Sequence, residues 1–374
     1  MKKQLIALAA LAATSSAFAQ SSVTLYGNLD ASVGRKQTLN ITVDPVSGEL
    51  TGISKSGATK VDSSDLYESY FGLRGTEDLG GGLKAVFKLE APIAVDSGAA
   101  VGGSSNYFSK NAFVGLAGDF GSVSLGRIES LFKLESAAFN PFGTSAVYSP
   151  SARLGLGKGQ LASLISQLEP TFVLPSTDGS WSNTVAYASP NLSGLTFGAQ
   201  YSAKESGKGS AADGTYNGGA YDLSVGYAAG PLAASLVYGE VRSTNATASA
   251  VKNKAWLLGA SYDFGVVKAF GQYGQDKYTQ RDETGSLKPK FFQLGVSAPV
   301  SASGTVLASF GQTKVSTDGV SFKTRDISLG YTHAVSKRTS AYAAILNEKA
   351  RATAEGESGS KSIVNYSVGV RHAF

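Results

Sequence analysis

The sequence predicts an all-β fold, a sixteen-stranded antiparallel transmembrane β-barrel whose long third external loop folds into the lumen. Three observations predict the barrel: a leader followed by no second long apolar run, apolar and polar residues that alternate position by position, and connections that alternate short and long. The chain opens with Lys2 and Lys3, continues with the apolar run Leu5 to Ala13, and reaches Ala17-Phe18-Ala19 before a polar stretch. A basic start, an apolar centre and a small-x-small end in that order make a secretory leader, with cleavage expected between Ala19 and Gln20. Residues 20–374 are then expected to form one domain. Beyond the leader no apolar stretch approaches the roughly 18 residues that a membrane helix needs, so any crossing is left to strands. Composition agrees, since 45 Gly and 17 Tyr beside a single Met suit a β-rich chain. With no Cys the chain has no disulfide framework and no thiol for a lipid anchor. Without Lys2 and Lys3, 31 basic residues stand against 28 acidic ones, a balance too even and too scattered for a nucleic-acid partner.

A strand with lipid on one side and water on the other must change character at every residue. The first segment, near 22–34, sets Val23, Leu25, Leu29 and Val33 against Thr24, Asn28, Asp30 and Ser32. A second lies near 63–76 and a third near 83–92, where Leu83, Ala85, Phe87 and Leu89 oppose Lys84, Lys88 and Glu90. Segments near 106–117, 121–128 and 181–189 lead to 195–203, with Leu195, Phe197, Ala199 and Tyr201 on one face. Next come 220–229 and 231–241, and then 254–263, where Trp256, Leu258, Ala260 and Tyr262 share a parity. The stretches 266–275, 289–298, 304–313, 323–333, 339–348 and 361–374 complete sixteen, an even number as single-chain bacterial barrels require. A soluble sandwich would place branched aliphatics on its buried face. Here Tyr227, Tyr238, Tyr262, Tyr273, Tyr331 and Phe374 recur near segment ends, as girdles at a lipid–water boundary do. Short links near 77–82, 118–121, 190–194, 264–265 and 334–338 alternate with mostly longer ones, the rhythm of periplasmic turns and external loops.

The connection from about Glu129 to Ser180 breaks that rhythm, and so long a loop needs structure or a task of its own. Within it Leu161, Leu164, Ile165 and Leu168 recur at helical spacing, and Pro170 stops the run. This apolar stripe must pack either above the external mouth or inside the barrel.

Catalysis has little material here. His333 and His372 are the only histidines and there is no Cys, so neither a metal site nor a nucleophilic triad assembles from these residues, and no cofactor is expected. Gly80-Gly-Gly-Leu-Lys84 lacks the spacing and the hydroxyl residue of a phosphate-binding loop and reads as a turn. Charged residues on the inward parity are the functional candidates: Arg74, which shares its face with Tyr70 and Gly72, and Lys84 and Lys88. Arg127 sits on the outward parity of Val123 and Leu125, so it joins them only if a bulge intervenes or the strand has ended. Glu129 and Glu135, early in the long loop, are the candidate acidic side.

At Ser22-Val-Thr-Leu-Tyr-Gly27, Phe71-Gly-Leu-Arg-Gly-Thr-Glu-Asp-Leu-Gly-Gly-Gly-Leu-Lys84, Gly121 to Arg127, Leu258 to Val266, Ser336-Lys-Arg-Thr339 and Val368-Gly-Val-Arg-His-Ala-Phe374 the sequence resembles the general porins of β-proteobacteria, members of the trimeric Gram-negative porin family. The resemblance runs through the whole mature chain. It implies a homotrimer in the outer membrane in contact with its lipid, passive passage of ions and small hydrophilic solutes, a third loop inside the lumen, and a basic wall opposite acidic loop residues. Tyr70 stands where some relatives carry an arginine of that wall, Lys110 where they carry another, and uncharged Ser180 and Trp181 near a third. A thinner basic wall implies weaker anion preference. A substrate-specific channel and a barrel serving as adhesin or anchor remain open alternatives.

Overall fold

The computed structural model describes residues 22–43, 50–101, 106–151, 179–203, 219–243, 251–280, 286–317, 320–354 and 357–374. The expected leader and the helical stripe at Leu161 to Leu168 lie outside these residues. The elements in chain order are β1 (Ser22–Val43), β2 (Leu50–Ser63), β3 (Tyr70–Gly80), β4 (Leu83–Pro92), β5 (Asn111–Gly118), β6 (Gly121–Glu129), α1 (Leu131–Ala138), β7 (Ser180–Ala188), β8 (Leu195–Ser202) and β9 (Ala220–Ala229). There follow β10 (Leu232–Ser243), β11 (Val251–Asp263), β12 (Lys268–Gln280), β13 (Ser286–Leu287), β14 (Lys290–Pro299), β15 (Gly304–Thr317), β16 (Val320–Ala334), β17 (Thr339–Ala354) and β18 (Glu357–Ala373).

Every neighbouring pair is antiparallel, and β18 returns to β1 from Asn28↔Ala373 to Arg35↔Tyr366, which closes the sheet. β2 and β3 both pair with β1, and β13 and β14 both pair with β12. Each of those couples is one interrupted stave, so the eighteen strands form a closed sixteen-stranded barrel.

Alternation sorts the side chains as a lipid-facing wall requires. On β9, Leu223, Val225 and Tyr227 are exposed while Asp222 is fully buried; on β16, Ile327, Leu329 and Tyr331 are exposed while Asp326 and Ser328 are buried. The sequence pattern ends the first strand near 34 and leaves most of 35–62 as loop. In the structure this stretch is a hairpin that continues the barrel wall, with Ala31↔Ser63 running to Val43↔Leu50. β1 has 22 residues, whereas a crossing takes about 9–11. Past that length Leu39 is buried in one cluster with Val315, Phe322 and Ile363, and Ile53 packs against it, so the outward-apolar pattern of a lipid-facing strand does not carry on through these ends. β15 to β18 overrun their expected ends for the same reason.

After β6 the chain turns into α1, a helix that the sequence reading does not anticipate. Ser130 caps it, its hydroxyl accepting from the Lys133 N–H at 3.2 Å. From there to residue 148 the segment runs along the face of the sheet opposite the exposed apolar one. It packs Leu131 on Gly198 of β8, Phe132 on Gly239 of β10 and Phe139 on Gly259 of β11. Pro141 then lies on Gly295 of β14 and Phe142 on Gly330 of β16. Five of the staves from β8 to β16 thus present a glycine where the segment passes, and a Cβ added at Gly295 would lie only 2.6 Å from Pro141. The far end is fastened by Ser145 Oγ to the Asp65 carbonyl and by Tyr148 OH with Ser367 Oγ, both at 2.6 Å. We expect Gly259→Leu to lower the heat stability of the detergent-solubilised barrel by about 1–3 kcal/mol, the usual cost of overpacking, because the new side chain and Phe139 claim one volume. The temperature at which the folded band is lost on a gel reads this out, and an unchanged temperature rejects the packing lane.

Candidate functional site

The break between β2 and β3 builds one side of the site. Residues 64–69 stand opposite only Leu29 and Asp30, since Ala31 pairs with Ser63 and Asn28 with Tyr70. The surplus chain has to leave the sheet, and it does so on the polar face as an elbow that starts at Ser64, where φ is 64°. Leu66, at its centre, is buried with Phe142 and Tyr148. Buried Asp30 anchors the elbow by accepting from Leu66 N at 3.1 Å, Tyr67 N at 2.6 Å and Tyr342 OH at 2.6 Å.

The elbow carries Glu68 into an ion-paired square. Lys110 Nζ lies 2.5 Å from Glu68 and 2.7 Å from Glu129; Lys133, on the first turn of α1, lies 2.9 Å from Glu129 and 3.5 Å from Glu68. Two cations thus bridge two carboxylates, and the square ties the elbow, the start of β5, the end of β6 and α1 together. Burial and repulsion by Lys133 act to lower the Lys110 pKa, but Glu68 and Glu129 outweigh both and hold its ammonium above the ordinary range. Asn111 extends the network, donating through Nδ2 to Glu90 at 2.5 Å and to Glu129 at 3.0 Å, and Tyr26 OH donates to the other Glu90 oxygen at 2.6 Å.

Beside the square, cations stack on tyrosines: Arg74 over Tyr26 at 4.7 Å, Lys110 over Tyr70 at 5.3 Å and Arg371 over Tyr67 at 4.3 Å. Arg74 pairs across the sheet with Lys88, whose Nζ is 3.8 Å from Glu90. Between this wall and α1 opens a cavity of about 480 Å³, reached by Asp62, Glu68 and Asp96 from the wall side and by Lys133, Ser136 and Thr144 from the other.

Five of the residues singled out in the sequence, Tyr70, Arg74, Lys88, Lys110 and Glu129, therefore meet in one region. Arg127 and Glu135 do not join them. Arg127 keeps the outward parity, paired with Ala112, and its guanidinium donates to the Ser109 carbonyl at 2.6 Å and to Ser182 Oγ at 2.8 Å. The irregularity that parity alone required lies in the neighbouring strand, where pairing with β6 skips Ser182 and Asn183. Glu135 points from α1 to the wall at β10, where burial raises its pKa and Ser235 partly lowers it.

Glu68, Lys133, Glu90, Tyr26 and Arg371 belong to the site and escape the sequence reading. Arg371 and Glu90 each carried a signal, an inward parity beside small or polar neighbours. Glu68 and Lys133 had none, because an elbow and a short helix show no two-residue period. The start of α1 is held by Asp222 of β9, which accepts from Leu131 N at 2.9 Å. We expect Asp222→Ala to cost about 1 kcal/mol, as lost helix caps do, and to add current noise by loosening Lys133. Quiet single-channel records from the variant would reject this role.

The Gram-negative porin family model matches residues 7–353. Outer membrane porin protein 32 of Delftia acidovorans is 35% identical, and the alignment covers all of both chains. An outer membrane porin protein of Bordetella pertussis is 29% identical, again over the full length of both. Among solved structures, an anion-selective porin from Comamonas acidovorans superposes with a TM-score of 0.74 at 30% identity, covering 95% of this chain and all of that one. The trimer form of the Vibrio cholerae outer membrane protein OmpT, at 15% identity and a TM-score of 0.65 over 95% of this chain and 99% of its own, shares the fold. The closed sixteen-stranded barrel, its exposed apolar belt and these full-length matches place the chain in the Gram-negative porin family, as an outer-membrane channel for small solutes.

Proposed function

We propose that the channel is passive and size-limited, that the segment from Leu131 to Ser151 lies in the lumen, and that the cavity between this segment and the elbow is the narrowest level. The observation that carries this reading is the square of Glu68, Lys110, Glu129 and Lys133, which bolts the segment to the wall beside the cavity. Its packing on the polar face of β8 to β16 supports the same placement. No energy source is required.

Ion preference follows from charges held in a confined, partly desolvated space. Arg74, Lys88 and Arg371 form a basic strip, while Asp62, Glu68 and Asp96 reach the cavity and oppose it. The result is a weak anion preference, in the direction named for the solved Comamonas porin. It fades with salt, since the screening length drops from about 30 Å at 0.01 M to about 3 Å at 1 M. Stepwise current in planar bilayers, with a zero-current potential that shrinks as salt rises, is the expected result; absence of steps refutes the channel reading.

A substrate-specific sugar channel would need open aromatic faces along the path. Tyr26, Tyr67 and Tyr70 lie in the right region, yet each has a cation stacked on its ring, which counts against that function. The proposal includes a leader removed after Ala19 and a homotrimer, for which small residues such as Ala31, Ala233 and Ala234, the first and last of them on the outward parity, give room for close packing. Intact mass of the membrane-extracted protein tests the first, and cross-linking in native membranes tests the second.

A further inference from the structure

The basic strip carries an orienting device that a count of charges passes over. Tyr26 of β1, Gly72 of β3, Glu90 of β4 and Asn111 of β5 stand in one register across neighbouring strands. The next register toward the β3–β4 turn holds Thr24, Arg74, Lys88 and Phe113. A two-residue step along a strand is about 7 Å, so side chains of the two rows reach one another.

The first row is joined by hydrogen bonds. A whole strand separates Tyr26 from Glu90, and a side chain between them would keep them apart. Gly72 supplies none: a Cβ there would lie 2.9 Å from Glu90 Cγ and 3.2 Å from Tyr26 Cζ. Across that gap Tyr26 OH donates to Glu90 Oε1 at 2.6 Å. Asn111 Nδ2 donates to the other Glu90 oxygen at 2.5 Å, and Asn111 is itself tied to Glu129, donating to Oε2 at 3.0 Å and accepting from the Glu129 N–H at 3.1 Å. Glu90 is 3% exposed, so water competes little for these bonds.

The second row carries the charge. Arg74 and Lys88 are directly opposed on one face, where Cβ atoms lie about 4.5–5.5 Å apart and like charges repel. Both side chains turn to the first row. Lys88 Nζ lies 3.8 Å from Glu90 Oε1, and the Arg74 guanidinium lies 4.7 Å from the centre of the Tyr26 ring. Among the described residues no carboxylate pairs with Arg74. The ring it leans on is held by the same Glu90 oxygen that draws Lys88, so one buried carboxylate fixes two cations that solvent reaches.

We propose that Glu90 is a positioning residue for ion selectivity, which sets how far Arg74 stands from the wall by fixing the Tyr26 ring beneath it. This rests on the reading that the basic strip lines the path. With the tether cut, repulsion from Lys88 swings Arg74 off the wall into the path, and anion preference strengthens although no charge has been gained or lost.

The test measures zero-current potentials of the full-length channel in planar bilayers under a salt gradient at low salt. Y26F keeps the ring and every charge but loses the hydroxyl. E90D keeps the charge and is one methylene too short to reach across Gly72. Each is expected to raise the anion-to-cation permeability ratio about twofold. The double variant is expected to match either single one, because both cut the same tether. A role for Glu90 as charge alone or as packing alone leaves both single variants at the wild-type ratio, and that result overturns the proposal. A double variant whose shifts add overturns it as well. Should E90D not fold, Y26F decides by itself. R74Q separates failure of the tether from failure of the reading beneath it: a wild-type ratio in R74Q shows that the strip does not face the path, and both fall, whereas a shifted R74Q ratio beside an unshifted Y26F ratio removes the tether and leaves the strip in place.

Discussion

Replacing Lys110 with methionine is expected to turn the channel toward cations. The substitution leaves Glu68 and Glu129 with Lys133 alone, so a square that sums to zero acquires one negative charge beside the cavity. At an effective dielectric near 20 a unit charge acts on an ion 4 Å away with about 4 kcal/mol, enough to reverse a weak preference. The zero-current potential in a salt gradient should change sign at low salt and move back toward zero at high salt. Stability falls as well, since unpairing a buried charge typically costs about 3–5 kcal/mol. Lys110→Glu is more severe, because three carboxylates then meet, and pairing it with Glu129→Lys should restore much of the loss. A potential that stays put in Lys110→Met while conductance persists would remove the square from the narrow level.

The second large effect is expected from Asp30→Ala. Three donors, Leu66 N, Tyr67 N and Tyr342 OH, converge on that carboxylate, and all three lose their acceptor together. At about 1–3 kcal/mol for each buried group left unsatisfied, the elbow is released. Glu68 then leaves Lys110, so unit conductance should rise and its noise with it. Asp30→Asn keeps the shape and one acceptor oxygen and should fall between the two. Wild-type conductance and heat stability in Asp30→Ala would show that the elbow holds without its anchor.

The barrel was legible because lipid imposes a two-residue period, as on β9 with Leu223, Val225 and Tyr227 outside and Asp222 inside. In the hairpin from Arg35 to Asp62 the outward-apolar pattern does not carry on, since Leu39 is buried with Ile53 packed on its cluster, and so it read as loop. Arg74, Lys88 and Lys110 were found by parity and by resemblance. Their partners were not, because Glu68 sits on an elbow defined by a mismatch in strand lengths and Lys133 on a helix of two turns. Glu135 was placed on the pore side because sequence gives a loop charge no direction. The helix gives one: Lys133, Ser136 and Ala137 share the cavity face, and Glu135 is turned away from it.

The row of glycines along the inner wall divides labour between two sides of one segment. What locates it is backbone: a missing Cβ at Gly198, Gly239, Gly259, Gly295 and Gly330 leaves a channel into which Leu131, Phe132, Phe139, Pro141 and Phe142 settle. On the proposed placement in the lumen, what solutes meet is the other side, at Lys133, Ser136, Ala137 and Thr144. Anchor and sieve are therefore separable. Substitutions at Ser136, Ala137 and Thr144 are then expected to retune which solutes pass without repacking the wall, whereas a single methyl group in the glycine row disturbs the whole seat. A designer who wanted a new permeability from this scaffold would vary Ser136, Ala137 and Thr144 and leave Lys133, which is tied to Glu68 and Glu129, and the other ten alone.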